Sequence, residues 1–327
     1  GGPDSLEAVE PFLYNLFYDP AIIRLPTPFR FLIAKLISKR RAPIAQDIYR
    51  NIGGSSPLLS QTEDQADALL KSLQDGGDDY KIFIAMRYWH PRASETVRAV
   101  ADFKPEEVIL LPLYPQFSTT TTGSSLTAWN RAYKGPARTI CCYPFAEGLI
   151  SAHIDRIMEA YRAAGEPGNV RLLLSAHGLP EKIVRDGDPY QWQCETMAEM
   201  IAGRVPSDWE IVPCYQSRVG PLKWIGPPTE EEVEKAAKDG KNILIAPIAF
   251  VSEHIETLVE LGEEYRLVAE QHGAASYTRV EALGVHGDFI AMLRDEVVNA
   301  LNEDLPIRSC AGSATSGARG AATSGAL

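Results

Sequence analysis

The chain has 327 residues, 45% of them hydrophobic and 23% charged, enough apolar side chain to build two ordinary globular cores. Acidic residues outnumber basic ones by 43 to 32, and the net charge of -11 argues against nucleic acid as the main partner. Five cysteines, an odd number without a C-x-x-C pair, speak against a disulfide framework and for reduced thiols; no apolar run approaches the roughly 18 residues that span a bilayer, and the first ten residues lack the basic-then-apolar pattern of a signal peptide.

Residues 13–43 mix bulky apolar side chains with Arg24, Arg30, Lys35, Lys39, Arg40 and Arg41. An apolar lip beside a basic cluster suits a membrane surface or a large flat apolar ligand; a core helix with a solvated basic end fits equally well. Downstream, short β-rich runs end in Pro, Gly, Ser or His and lead into helical patterns. Lys81–Met86 ends in RYWHP and precedes a helical pattern at Ser94–Phe103. Val108–Leu111 ends in LYPQFSTTTTGSS, and Leu149–Ala164 is again helical. Arg171–Leu174 ends in SAHGLP, Thr229–Lys238 is helical, and Asn242–Ile245 ends in APIAFVSEH. Continuous apolar runs are what strands buried on both faces require, so alternation with helices predicts an α/β fold with parallel sheets. The strand-end theme occurs twice, so two similar halves are expected, with a boundary near Tyr143–Pro144. Ser309–Leu327, rich in Ala, Gly and Ser, cannot bury enough surface to order itself. The expected division is therefore 1–143, 144–306 and a disordered tail at 307–327.

In open α/β sheets ligands gather at the carboxyl ends of strands, so chemistry is sought in those loops. His177 follows a strand between small neighbours that leave room for a ligand. An imidazole there can accept a proton or ligate a transition metal, or it can simply bond nearby backbone. In Val251–Tyr265, Glu256, Glu260 and Glu264 fall at i, i+4 and i+8, one acidic stripe if the segment is helical, with Glu253 near that face. A bound or passing cation would offset the repulsion; a solvated acidic face is the plainer alternative. Gly262 and the β-branched residues predict an irregular or bulged turn. Arg87 and Tyr88 can hold a carboxylate and an aromatic face, or Arg87 can pair with an acidic neighbour. LYPQFSTTTTGSS and IGGSSP lack the Lys and spacing of phosphate loops, and no His or Cys pair has structural zinc spacing.

Taken together, YRNIGGSSP (Tyr49–Pro57), MRYWHP, LYPQFSTTTTGSS, LLLSAHGLP, CYQSRVGPLKWIGP (Cys214–Pro227) and PIAFVSEHIETL (Pro247–Leu258) resemble the ferrochelatase family from Gly1 to about Leu301. The resemblance implies two Rossmann-like domains with a porphyrin cleft between them. It implies that His177 is the active-site histidine and Glu256 the essential glutamate, with His254 and Phe250 beside it. Glu260 and Glu264 match an acidic line towards the surface, which with His177 and Glu256 would meet the metal. Tyr49, Ser56, Arg87 and Tyr114 match positions that line the porphyrin pocket or hold its propionates. The implied reaction is insertion of Fe2+ into protoporphyrin IX with release of two protons, the last step of haem synthesis. The apolar lip favours protoporphyrin over coproporphyrin III; a non-catalytic porphyrin carrier would not need the acidic stripe.

The sequence departs from the family in three places. Glu253 stands where many relatives have Asp. Thr119 occupies the position of one cluster cysteine, and Cys141, Cys142, Cys194, Cys214 and Cys310 show no cluster grouping, so no [2Fe–2S] cofactor is expected. The apolar strand that precedes GGPDS in relatives is missing, so the first domain is expected to be a strand short. The expected location is cytoplasmic, against the inner face of the cell membrane through residues 13–43; nothing in the sequence sets an oligomeric state.

Overall fold

The protein is described from a computed structural model covering residues 1–74, 79–218, 222–302 and, by backbone alone, 307–308. Its strands are β1 (Ile109–Leu110), β2 (Arg138–Ile140), β3 (Val170–His177), β4 (Glu210–Gln216), β5 (Asn242–Pro247), β6 (Ser276–Arg279) and β7 (Ile307–Arg308). Among the described residues they form two parallel sheets, ordered β1-β2-β7 and β4-β3-β5-β6.

The second sheet follows from its sequence. Side chains alternate across a strand, so a continuous apolar run serves two covered faces. On one face Leu172, Leu174, Leu244 and Ala246 join the core with helices Glu147–Ala163, Tyr190–Ala202 and Gly287–Asn302. On the other, Leu173, Ile243 and Ile245 pack with Val233 and Ala237 of helix Thr229–Lys238 and with Leu261 and Ala269. His177 pairs with Gln216 and Ser175 with Pro247, so β3 and β4 end together, β5 ends two residues earlier, and their loops open on one side.

The first half departs from expectation. Lys81–Met86 forms no strand; it makes one isolated bridge, Met86 to Arg92. An apolar run becomes a strand only when a neighbouring strand takes its backbone hydrogen bonds; here Met86 N donates to the Pro91 carbonyl and the Ile84 carbonyl accepts from Thr96 Oγ1, and among the described residues no strand pairs with it. Residues 307–308, which the sequence places with the tail, pair with β2, so the chain returns to the first sheet through helix Gly287–Asn302. Residues 309–327 lie outside the described residues. The lip segment folds as two packed helices, Val9–Tyr18 and Thr27–Asn51.

The halves share an apolar core that runs from Leu69 and Ile140 to Leu172 and Ile248. Buried glutamines join them as well. Gln65, on helix Leu58–Gln74, donates through Nε2 to the carbonyls of Val251 and Gly284 at 2.9 and 3.0 Å and accepts from Ser252 Oγ at 3.1 Å. Gln116 Nε2 donates to the Ile248 carbonyl at 3.0 Å, and Gln193 Oε1 accepts from Phe117 N at 2.7 Å. These bonds hold the loop after β5 from both sides. Gln65→Leu keeps the bulk but leaves two buried carbonyls and a hydroxyl without their partner. It should lower stability by about 1–3 kcal/mol, read from urea unfolding; an unchanged midpoint would remove Gln65 from the clamp.

Candidate active site

His177 is the last residue of β3, opposite Gln216 at the end of β4. Its Nδ1–H donates to the Gly178 carbonyl at 2.7 Å, which turns Nε2 towards Glu256 Oε1, 3.5 Å away. Glu256 opens the helix that follows β5, and its Oε2 accepts from His254 Nε2 at 3.2 Å. The Phe250 ring stands 6.4 Å from that of His177, nearly perpendicular, and 4.5 Å from that of His254. Side chains of His177 and Glu256 are 36% and 29% exposed, so the pair is set deep yet open to a ligand. Gly178 must be small: a Cβ there would lie 2.9 Å from the Gln216 carbonyl and 3.3 Å from the Trp224 ring.

Charge sets the resting state of the pair. Burial alone would lower the His177 pKa, but the Glu256 carboxylate outweighs it and pushes the imidazole up to about 9. Burial would likewise raise Glu256, and His177 and His254 outweigh it, holding the carboxyl well below its ordinary range. At neutral pH the resting pair is imidazolium and carboxylate, so His177 is not the resting neutral base that a lone loop histidine would be.

The irregular helix expected after Val251 is a π-helix, Glu256–Glu264. Its i→i+5 bonding brings residues five apart together: Tyr265 N donates to the Glu260 carbonyl, and Tyr265 OH donates to Glu260 Oε1 at 2.7 Å. Glu260 also accepts from Ser217 N at 2.8 Å, Ser217 Oγ at 2.5 Å and Gln216 Nε2 at 3.1 Å. It is a clamped carboxylate. Glu264 is exposed; burial and then Glu260, Glu230 and Glu263 raise its pKa. Glu253 faces away from this line. It accepts from Arg279 Nη1 at 2.7 Å, Ala282 N at 2.9 Å and Thr257 Oγ1, contacts that overcome burial and lower its pKa.

Of the candidates in the first half, Tyr49 is the one tied to the pair. Tyr49 is buried, and its pKa is raised by burial and then by the Glu256 charge, which places the two near each other. Ser56 Oγ accepts from Leu58 N at 3.3 Å, and it would lie 2.3 Å from a Cβ on Gly2, so only glycine fits there. Tyr114 is raised by burial and lowered in part by Ser125 and Arg87, which places it beside Arg87. Arg87 takes its acidic-partner alternative: it donates to Asp19 Oδ2 at 2.6 Å and to Ser124 Oγ at 2.7 Å. Thr119, at the expected cysteine position, donates through N and Oγ1 to Asp188 at 2.7 and 2.8 Å. Sequence reasoning missed Asp19, Gln216, Ser217, Tyr265 and Arg279. The five-residue spacing of Glu260 and Tyr265 is a legible signal for a π-helix; the others meet their partners only through the fold.

The sequence model of the ferrochelatase family matches residues 1–301. A protein named ferrochelatase from Hyphomonas neptunium is 66% identical over 316 residues, 95% of this chain and 88% of the relative. Ferrochelatases from Caulobacter vibrioides and Phenylobacterium zucineum are each 54% identical, covering 93% and 92% of this chain and 88% and 89% of theirs. Among solved structures, SirB from Bacillus subtilis with Fe3+ aligns with a TM-score of 0.50 at 16% identity, over 72% of this chain and 88% of that one. The sirohydrochlorin chelatase SirB in complex with cobalt aligns at 0.50 and 12% identity, over 74% and 90%. These likenesses show the fold: α/β, with parallel sheets flanked by helices.

The ion pair fixes a pH dependence. Since the folded pKa of His177 lies above its ordinary 6.5 and that of Glu256 below its ordinary 4.5, the pair's stabilisation is complete between about 4.5 and 6.5, is lost as pH rises through about 9, and is lost on the acid side as Glu256 takes up a proton. In Glu256→Gln burial is left as the main influence, so the His177 ring should titrate below about 6.5. Histidine-selective NMR titration of both forms checks this; a His177 midpoint near 6.5 in the native chain would show that the pair is not formed.

Proposed function

This chain belongs to the ferrochelatase family, metal chelatases that insert Fe2+ into a porphyrin in haem synthesis, and on that premise we propose that His177 and Glu256 handle its protons and receive its metal. The observation that carries this reading is the 3.5 Å ion pair between the end of β3 and the start of the helix that follows β5.

Metallation must remove two N–H protons from the macrocycle and strip water from the cation. The resting His177 holds a proton because Glu256 faces it. A dication that takes up the charge of Glu256 weakens that hold and repels the imidazolium. His177 then passes its proton along the Glu260–Glu264 line to solvent and, now neutral, takes the two macrocycle N–H protons one after the other, handing the first on by the same line before it accepts the second. Glu260 and Glu264 lead from Glu256 towards the surface as a line for metal or protons. On this reading Phe250 and His254, whose rings lie beside His177, press on one side of the macrocycle, and Tyr49, Ser56, Arg87 and Tyr114 form the opposing wall. A grip that bends the macrocycle exposes its nitrogen lone pairs, a distortion drawn from binding energy elsewhere on the ligand.

The substrate is proposed to be protoporphyrin IX, and the protein to work at the cytoplasmic membrane face. Support comes from helix Thr27–Asn51, where Phe29, Leu32 and Leu36 are each more than half exposed at i, i+3 and i+7, beside exposed Lys35, Lys39, Arg40 and Arg41. Among the described residues no helix is long and apolar enough to cross a membrane, so attachment would be to the surface. The reaction is proposed to need no iron–sulfur cluster. Cys194 and Cys214 lie in the two different cores, and burial raises both thiols, Cys214 to about 12, the reverse of what thiolate ligands require.

His177→Ala and Glu256→Gln should each lower metallation by at least about a hundredfold while porphyrin binding stays measurable by fluorescence quenching. Near-normal turnover in either variant would remove that residue from the chemistry. Reversing charge at Lys39, Arg40 and Arg41 should weaken co-sedimentation with anionic vesicles, and equal sedimentation would return the lip to a solvated helix. Protoporphyrin assayed beside coproporphyrin III tests the substrate; preference for coproporphyrin III would overturn the assignment.

A further inference from the structure

Asp19 follows helix Val9–Tyr18 as its C-cap, and its side chain is 3% exposed. Its Oδ2 accepts from Arg87 Nη2 at 2.6 Å, Tyr88 OH at 2.9 Å and Ser124 Oγ at 2.5 Å, while Oδ1 accepts from Ala21 N at 2.9 Å. Burial would raise this carboxyl, and the bonds from Ser124, Ala21 and Arg87 together outweigh it, so its pKa is lowered. Three elements therefore meet on one oxygen: the end of the lip helix, the loop after Met86, and helix Thr122–Ala132.

A guanidinium is a planar fork with five N–H donors. Arg87 commits Nε to Ser124 and Nη2 to Asp19, and its plane is backed by the Tyr88 ring, 4.6 Å away. Tyr88 reaches that position through a left-handed backbone, φ +75°, which a bulky residue adopts only where its surroundings enforce it. Among the described residues Nη1 makes no hydrogen bond, and it is not a buried orphan. The Arg87 carbonyl accepts from the amino group of Gly1, and Gly2 touches Ser56 and approaches Tyr49, the neighbour of Glu256. One corner of the fork is left uncommitted.

We propose that Asp19 is a positioning residue that aims Arg87 at a carboxylate of the bound porphyrin, and so couples the lip helix to the grip on substrate. This rests on the reading that Arg87 meets the porphyrin. A carboxylate held by one preset donor corner is lost when the fork can rotate, even though the arginine is still present.

The test uses the full chain and two probes read by fluorescence quenching: mesoporphyrin, with two free carboxylates, and its dimethyl ester. Asp19→Asn should raise the Kd for the diacid roughly tenfold, leave the ester unmoved, and add nothing in an Arg87→Met background. Equal weakening of diacid and ester would mark a merely structural role and overturn the proposal. So would a full Asp19→Asn effect on top of Arg87→Met, or an unchanged Kd where Arg87→Met raises it. An Arg87→Met variant that binds the diacid normally would instead overturn the underlying reading of Arg87. Should Asp19→Asn fail to fold, Ser124→Ala removes the partner of Nε and keeps the ion pair; it should weaken diacid alone, and no diacid-selective loss would overturn the proposal.

Discussion

An imidazolium and a carboxylate 3.5 Å apart, at the rim of one parallel sheet, are the constraint around which this structure is arranged. Neither group would keep its charge there alone, because burial works against both. Each is charged because the other is. The sheet makes the encounter possible: β3 and β5 are adjacent and parallel, so the last residue of one is His177 and the helix after the other delivers Glu256. Buried Gln65 and Gln116 then hold the intervening loop by its carbonyls, which keeps the distance from drifting.

The first half uses the same device with a different outcome. Asp19 and Arg87 also form a buried pair, but its members are tied by several further hydrogen bonds. A pair with many ties is rigid and suited to aiming; a pair with few ties beside an open cleft can exchange a proton or admit a cation. On the proposed reading one pair positions and the other reacts, and the difference lies in the number of additional donors.

Legibility in the sequence followed the range of the interactions. β3 and β5 were readable because each is an uninterrupted apolar run, a local signal of two covered faces. Lys81–Met86 carries the same signal and forms no strand, because strandhood depends on a neighbour that composition does not reveal. Gly262 and the β-branched residues announced an irregular helix, though not its i→i+5 register. His177 and the Glu256 stripe stood out by type and spacing. Asp19 did not, for it is a lone acid whose partners are 68 and more residues away apart from its own turn. Glu260 was legible as part of a stripe, but its clamp by Ser217 and Gln216 comes from β4, more than 40 residues earlier.

That clamp changes what an acidic stripe can do. Three equivalent carboxylates would trap a divalent cation, which suits storage and not transit. These three differ in kind. Glu264 is exposed, with a pKa raised first by burial and then by acidic neighbours, so it exchanges protons most readily and offers a cation the loosest hold. Glu260 is already satisfied by four donors, and a cation must displace hydrogen bonds to use it. Glu256 is held low by His177 and His254, so its carboxylate is present at any pH where the protein works. On the proposed reading, the three carboxylates are unequal stations: a loose one at the surface, a clamped one that does not trap a cation, and a deepest one where arrival of positive charge also loosens the proton on His177. Coupling of metal entry to deprotonation comes from the pair at the end of that line.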